Sequence, residues 1–170
     1  MSVVVRPAAD ADAAAIAGIH VRGWRAAYRG LVPDAALAAL SAERRERGWR
    51  DRIAASRAPS VTLVGELDGI VAGFCSVIAP TRDDGAPPWT AEVAAIYVEP
   101  LRWRGGVGGT LLECALRDLA DDGWRRVTLW VLERNDAAVA FYRRFGFEPD
   151  GAGKEDAALA AREVRMVRAL

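Results

Sequence analysis

Four glycines at positions 105, 106, 108 and 109 crowd one short stretch, flanked by Arg102 and Arg104. A turn of this composition lets backbone approach a ligand closely and points free N–H groups at it. A helix opening near Val107 adds partial positive charge, so the pattern favours a phosphate group. Arg102 and Arg104 can pair with phosphate oxygens. The competing reading is a tight turn required only for packing. No Lys-Ser/Thr follows the last glycine, which excludes a Walker-type nucleoside-triphosphate loop. The turn lies mid-chain without a G-x-G-x-x-G pattern, which disfavours a dinucleotide-binding fold.

Other residues could do chemistry by type and spacing. Tyr142 follows Asn135 by seven residues in a segment patterned as a helix. That is two turns, nearly the same face, so both can face one ligand. The alternative makes Tyr142 a core aromatic beside Phe141 and Phe145. Glu92 lies in a β-rich run, where regular alternation gives it one face with Ala94, Ile96 and Val98. A solvent-facing glutamate is the alternative. His20, Trp24 and Tyr28 recur at four-residue spacing, so one helical face carries them. Hydrophobic packing competes for Trp24 and Tyr28, and a satisfied core histidine is the favoured reading of His20. Trp49, Trp89, Trp124 and Trp130 receive structural readings.

The elements that must position these residues follow from pattern. Residues 3–5 read as a strand stopped by Pro7, and Asp10 or Asp12 can cap a helix carrying Ile16, Ile19, Gly23, Trp24 and Ala27. Residues 34–40 form a short helix. Ser41 caps a third helix running through Trp49 and Ile53, whose many arginines read as a solvated face. Residues 61–67 and 70–78 are strands joined at Asp68-Gly69, a strong hairpin signal. A loop at 82–88 leads to a strand at 90–98, the glycine turn, and a helix over 107–122 stopped by Gly123. A strand at 127–132 and a helix at 135–145 with Gly146 as its stop follow. Phe147 starts a short strand, 151–161 reads as loop, and 164–167 closes as a strand. The order predicts a mixed α/β plan with a right-handed crossover at the glycine turn.

Composition bounds the rest. The chain has 170 residues, is about half apolar and carries no formal net charge. One domain over 1–170 is expected, with a core that needs no disulfide or structural metal. Neutral charge points away from nucleic acid and anionic membrane. No stretch is long and apolar enough to span a bilayer. The segment Met1-Ser2-Val3-Val4-Val5-Arg6-Pro7 lacks a signal-peptide layout, so a cytoplasmic protein is expected. A single histidine rules out His-based metal clusters, and no metal site is expected. Cys75 and Cys114 read as buried thiols in a reducing compartment.

The segment Ala95-Ile96-Tyr97-Val98-Glu99-Pro100, then Trp103-Arg104-Gly105-Gly106-Val107-Gly108, then Leu111-Leu112, resembles the acetyl-CoA-binding motif of the GNAT superfamily of N-acyltransferases. That pattern is Gln/Arg-x-x-Gly-x-Gly/Ala, and Trp103 stands here at the Gln/Arg position. Glu133-Arg134-Asn135-Asp136-Ala137-Ala138, then Phe141-Tyr142-Arg143-Arg144-Phe145-Gly146-Phe147, resembles the superfamily's later motif.

The resemblance implies an α/β fold (α+β): a twisted, mixed, mostly antiparallel sheet flanked by helices. Its parallel central strands at 90–98 and 127–132 would splay apart. Pantetheine would lie in the splay against backbone of Ile96, Tyr97 and Val98. Pyrophosphate would sit on N–H groups of Arg104, Gly105, Gly106, Val107, Gly108, Gly109 and Thr110, with Asn135 and Tyr142 also on the cofactor side. The implied activity is N-acetyl transfer from acetyl-CoA to a primary amine, by direct attack in a ternary complex. Tyr142 would be the acid, Glu92 the base through a water, and a backbone N–H near Tyr97 the oxyanion donor. The superfamily often bulges the strand of Glu92, which would alter its parity. The first helices commonly wall the acceptor site, which assigns Trp24 and Tyr28 to substrate. The acceptor would be a small-molecule or peptide amine, and a homodimer is a family-level expectation. The rival on the same fold is a non-catalytic acyl-CoA-binding or sensing module.

Overall fold

The computed structural model describes residues 2–170. The strands are β1 (Val4–Pro7), β2 (Val61–Leu67), β3 (Ile70–Ile78), β4 (Thr90–Val98), β5 (Arg126–Leu132), β6 (Glu148–Asp156) and β7 (Ala161–Ala169). The helices are α1 (Ala13–Ala27), α2 (Asp34–Ala38), α3 (Ala42–Ala55), α4 (Val107–Asp121) and α5 (Asp136–Arg144). One open sheet runs in the order β1-β2-β3-β4-β5-β7-β6. Every neighbouring pair is antiparallel except β4 with β5.

Local signals explain most boundaries. Asp68 and Gly69 take φ of 52° and 76°, the left-handed pair that a tight β2–β3 turn demands. Ser41 Oγ accepts from Arg44 N at 3.2 Å and starts α3. Gly146, at φ 78°, ends α5. Asp12 stops a short 3-10 turn ahead of α1, and its carboxylate accepts from Ala9 N and Arg6. Arg6 also reaches Glu66, so one guanidinium ties β1, the start of α1 and β2.

The expected loop over 151–161 is corrected: residues up to Asp156 belong to strand β6, and Ala161 already belongs to β7. β6 carries Pro149, Gly151 and Gly153 and no apolar alternation, so its sequence has no strand pattern. It forms because it is an edge strand paired on β7, with an irregular register between Pro149 and Gly153.

Two apolar layers sandwich the sheet. α4 lies on one face over Leu63, Cys75, Val93, Val127 and Leu129. α1 and α3 cover the other face over Val64 and Phe74, with Ala95 and Tyr97 packed beside them. Gly23 permits this approach, since a Cβ there would meet the Tyr97 ring at 3.1 Å.

Candidate active site

β4 positions most of the site. Ser76 of β3 opposes Ala95, while Val77 opposes Val93, so Ala94 is an extra residue, a β-bulge. The bulge corrects the regular-strand parity. Glu92 does not share a face with Ile96 and Val98; it shares the α1/α3 face with Ala95 and Tyr97. Ile96 and Val98 turn toward α4 instead.

β4 meets β5 only over Thr90–Arg126, Ala91–Val127 and Glu92–Thr128. Beyond Glu92 the two strands part, and the edge of β4 is open. Glu99 N donates to Ala72 O, and Val98 opposes Gly73. By the alternation of an antiparallel ladder, Ile96 and Val98 then direct their N–H and C=O into the opening. The Tyr97 N–H lies on the β3 side of the strand. Trp103 Nε1 donates to Val98 O at 2.9 Å, so the indole at the divergent motif position caps one of these carbonyls.

The glycine turn lies at the mouth of this opening. Gly106 is the N-cap of α4 at φ 85°, and Arg104 also takes a positive φ, 65°. Thr110 N donates to Gly106 O and Gly105 N donates to Arg102 O. The helix leaves the N–H groups of Val107, Gly108 and Gly109 without intrahelical partners. These three N–H groups, with α4's positive end, make an anion cradle. Asn135 caps α5, its Oδ1 accepting from Ala138 N at 3.2 Å, which leaves the amide NH2 for a ligand.

All three tyrosines of the chain converge here. Tyr28 and Tyr97 share a hydrogen bond between hydroxyls at 2.9 Å. Tyr142, on α5, packs against Phe141 and Phe147. Burial raises the pKa of all three phenols, and proximity to Tyr28 adds to the rise at both Tyr97 and Tyr142. Each is therefore held as a protonated donor near neutral pH.

Glu92 is 3% exposed, which sets aside the solvent-facing alternative. Arg82 binds it through Nη2, and through Nε and the backbone N at 3.2 Å each; Thr81 Oγ1 donates at 3.3 Å. The carboxylate is buried, ion-paired and open to the same cavity as Trp24, Tyr28 and Tyr97. That cavity holds about 620 Å³ between α1, α3, β4 and the β6–β7 end of the sheet.

The arginine-rich face of α3 corrects a second expectation. Arg44, Arg47 and Arg50 do face solvent and Arg52 is exposed as well, but Arg45 and Arg52 line the cavity. Arg45 stacks over Trp24 at 4.7 Å and Arg52 over Trp49 at 5.2 Å. Trp130 and Lys154 line it from the far side, with Lys154 over the indole at 4.1 Å. Arg45, Arg52, Arg82 and Lys154 escaped the sequence reading, as did the bond from Trp103 to Val98 O. The seven-residue spacing of Arg45 and Arg52 was the one usable signal.

His20 is a satisfied core histidine at the cavity wall: Trp49 Nε1 donates to its Nδ1 at 3.2 Å. Burial, with Arg45 and Arg52 adding repulsion, pushes its pKa down to about 3. Unfolded, the ring titrates near 6.5, so the unfolded chain binds the extra proton between about pH 6.5 and 3. This contribution to stability is complete above that window and is lost as pH falls through it. Between about pH 7 and pH 5 the loss should approach about 2 kcal/mol. Urea unfolding of wild type and His20→Gln at both values checks it: the variant should lose less on acidification. Equal losses would mean that His20 is protonated in the fold.

Among the described residues no group of His, Cys, Asp and Glu is arranged to hold a metal ion. No described helix is long and apolar enough to cross a membrane. Cys75 is buried, its thiol pushed up to about 12 by burial, and Cys114 is partly buried; both are free.

An open β4 edge running into free N–H groups at a helix N-terminus suits a ligand that pairs like a strand and ends in an anion. The family model of the acetyltransferase (GNAT) family matches residues 24–147. The chain belongs to that family. It is 31% identical over 146 residues to the uncharacterised N-acetyltransferase YuaI of Bacillus subtilis (strain 168), covering 86% of this chain and 80% of that protein. It is 26% identical over 149 residues to phosphinothricin N-acetyltransferase of Streptomyces viridochromogenes, covering 88% and 76%. The fold superposes on PaiA N-acetyltransferase of Thermoplasma acidophilum in complex with coenzyme A, with a TM-score of 0.83, 19% identity and all of both chains covered.

Proposed function

We propose that the protein transfers an acetyl group from acetyl-CoA to a primary amine by direct attack in a ternary complex. One observation carries this reading. The N–H groups of Ile96 and Val98 and the C=O of Ile96, with the Val98 C=O already capped by Trp103, lead from the Val107–Gly109 cradle to the tyrosine cluster. A pantetheine arm needs that path: pyrophosphate on the cradle, amides along β4, thioester at Tyr142. The N–H groups of the open edge near Tyr97 would take the developing oxyanion.

An alkyl ammonium has a pKa of about 10.4, so the amine must lose a proton before it attacks. Glu92 accepts that proton through water, since about 13 Å of strand separates it from Ile96. The N–C bond forms, the C–S bond breaks and the departing thiolate takes the Tyr142 proton; the second proton of the attacking nitrogen, released as the amide forms, returns to the Tyr142 oxygen through water. Trp24 and Tyr28 wall the acceptor. Neither cysteine takes part.

Titration calorimetry with acetyl-CoA, coenzyme A and ATP tests the reading. Micromolar binding of the two CoA species but not ATP is expected, followed by thiol release with amines. Binding without release under any amine would favour the non-catalytic module. No CoA binding would reduce the cradle to a packing turn.

A further inference from the structure

Arg45 and Arg52 sit two turns apart on one face of α3, in the wall of the acceptor cavity. Neither makes a salt bridge among the described residues, whereas Arg50, on the solvent face, pairs with Asp10 and Glu46. Burial lowers the pKa of both; at Arg52 the nearby Arg82 adds to the fall and Glu92 opposes it. The carboxylates that line the cavity are engaged elsewhere. Glu92 is held by Arg82, Glu163 by Lys154 at 3.3 Å, and Asp156 by the N–H groups of Ala158 and Leu159. Trp24 Nε1, a buried donor, has no hydrogen-bond partner among the described residues.

Arg45 is partly buried and Arg52 stays exposed at the rim; their recorded side-chain hydrogen bonds go to neutral groups, Arg45 to His20 and Arg52 to Ser76 at 3.4 Å, so a ligand carboxylate can supply the ion pair that both lack. Each is stacked on an indole, which fixes the plane in which its forked donors meet an acceptor. Tyr28 and Tyr97 line the same cavity and adjoin Tyr142, so a molecule held at Arg45 lies beside the reacting centre. We propose that the acceptor amine carries a carboxylate, as a free amino acid does, and that Arg45 and Arg52 bind that carboxylate. A polyamine would meet two uncompensated cations here. A peptide N-terminus has an amide where the carboxylate is needed.

The proposal rests on the acyl-transfer reading, and the test separates the two. Thiol release is measured with saturating acetyl-CoA and the proteinogenic L-amino acids, each beside its carboxamide, with spermidine as a cationic comparison. Acetyl-CoA binding is followed by calorimetry on the same protein. At least one amino acid should exceed its carboxamide about tenfold or more in kcat/KM. Arg45→Gln and Arg52→Gln should each raise KM for that amino acid and shrink the ratio toward unity, with acetyl-CoA affinity retained. Arg45→Lys should restore part of it. Carboxamides or spermidine used as well as the acids, or acetyl-CoA bound with no amino acid acetylated, would overturn the carboxylate site alone. Failure to bind acetyl-CoA would overturn the acyl-transfer reading with it.

Discussion

Tyr142→Phe is expected to lower kcat for acetyl transfer about 100- to 10,000-fold, the range for loss of a positioned general acid. Acetyl-CoA affinity should change less than about threefold, because the hydroxyl acts on the thiolate as it departs and not on the ground state. The phenyl ring keeps the contacts with Phe141 and Phe147, at centroid distances of 5.3 and 6.0 Å, so folding should be little affected. Burial holds the wild-type phenol above its ordinary value, and it therefore remains a proton donor well past neutral pH. Calorimetry and steady-state kinetics on one preparation separate the two effects. A variant with wild-type kcat at saturating acceptor would remove Tyr142 from the chemistry and leave it as packing.

The sequence made much of this site legible because the relevant signals are local. Asp68-Gly69 fixed the hairpin, Ser41 and Gly146 fixed helix ends, and the glycine turn stood out from its own composition. The bulge at Ala94 did not, because its position is set by how β4 fits β3, and a one-residue shift there moves Glu92 to the other face. β6 was invisible for a related reason. An edge strand with Pro149 and two glycines has no periodicity of its own, and only the partner β7 makes it a strand.

The cavity charges were illegible on different grounds. α3 holds arginines on several faces, and its pattern alone marks it as solvated. Which two reach the cavity depends on α1 packing beside it and on Trp24 and Trp49 offering rings to stack on. A helix read alone yields its capping and its face, but not the partner that the face meets. On the proposed reading, the cradle and the tyrosines account for how an acyl group would be transferred. Arg45 and Arg52 bear on what receives it, and that part of function sits in tertiary contacts.

Gly106→Val is expected to weaken acetyl-CoA binding about 100-fold or more. Gly106 takes φ 85° as the N-cap of α4, with nothing within 4 Å of a Cβ built there. In the free protein, valine would therefore meet backbone strain of about 1–2 kcal/mol but no clash. In the complex, its side chain stands at the rim of the Val107–Gly109 cradle. Holding the phosphate away from even two charge-assisted N–H bonds costs about 3 kcal/mol or more. Gly123 provides the matched control. It has φ 86°, again with nothing within 4 Å, but lies past the other end of α4, about 22 Å along the 15-residue helix. Gly123→Val should carry the same backbone strain and keep full acetyl-CoA affinity. Thermal unfolding and calorimetry on both variants decide the matter: similar losses of stability with binding lost only at Gly106 place the phosphate on α4. Equal retention of binding in both would show that the turn shapes the fold without holding the cofactor.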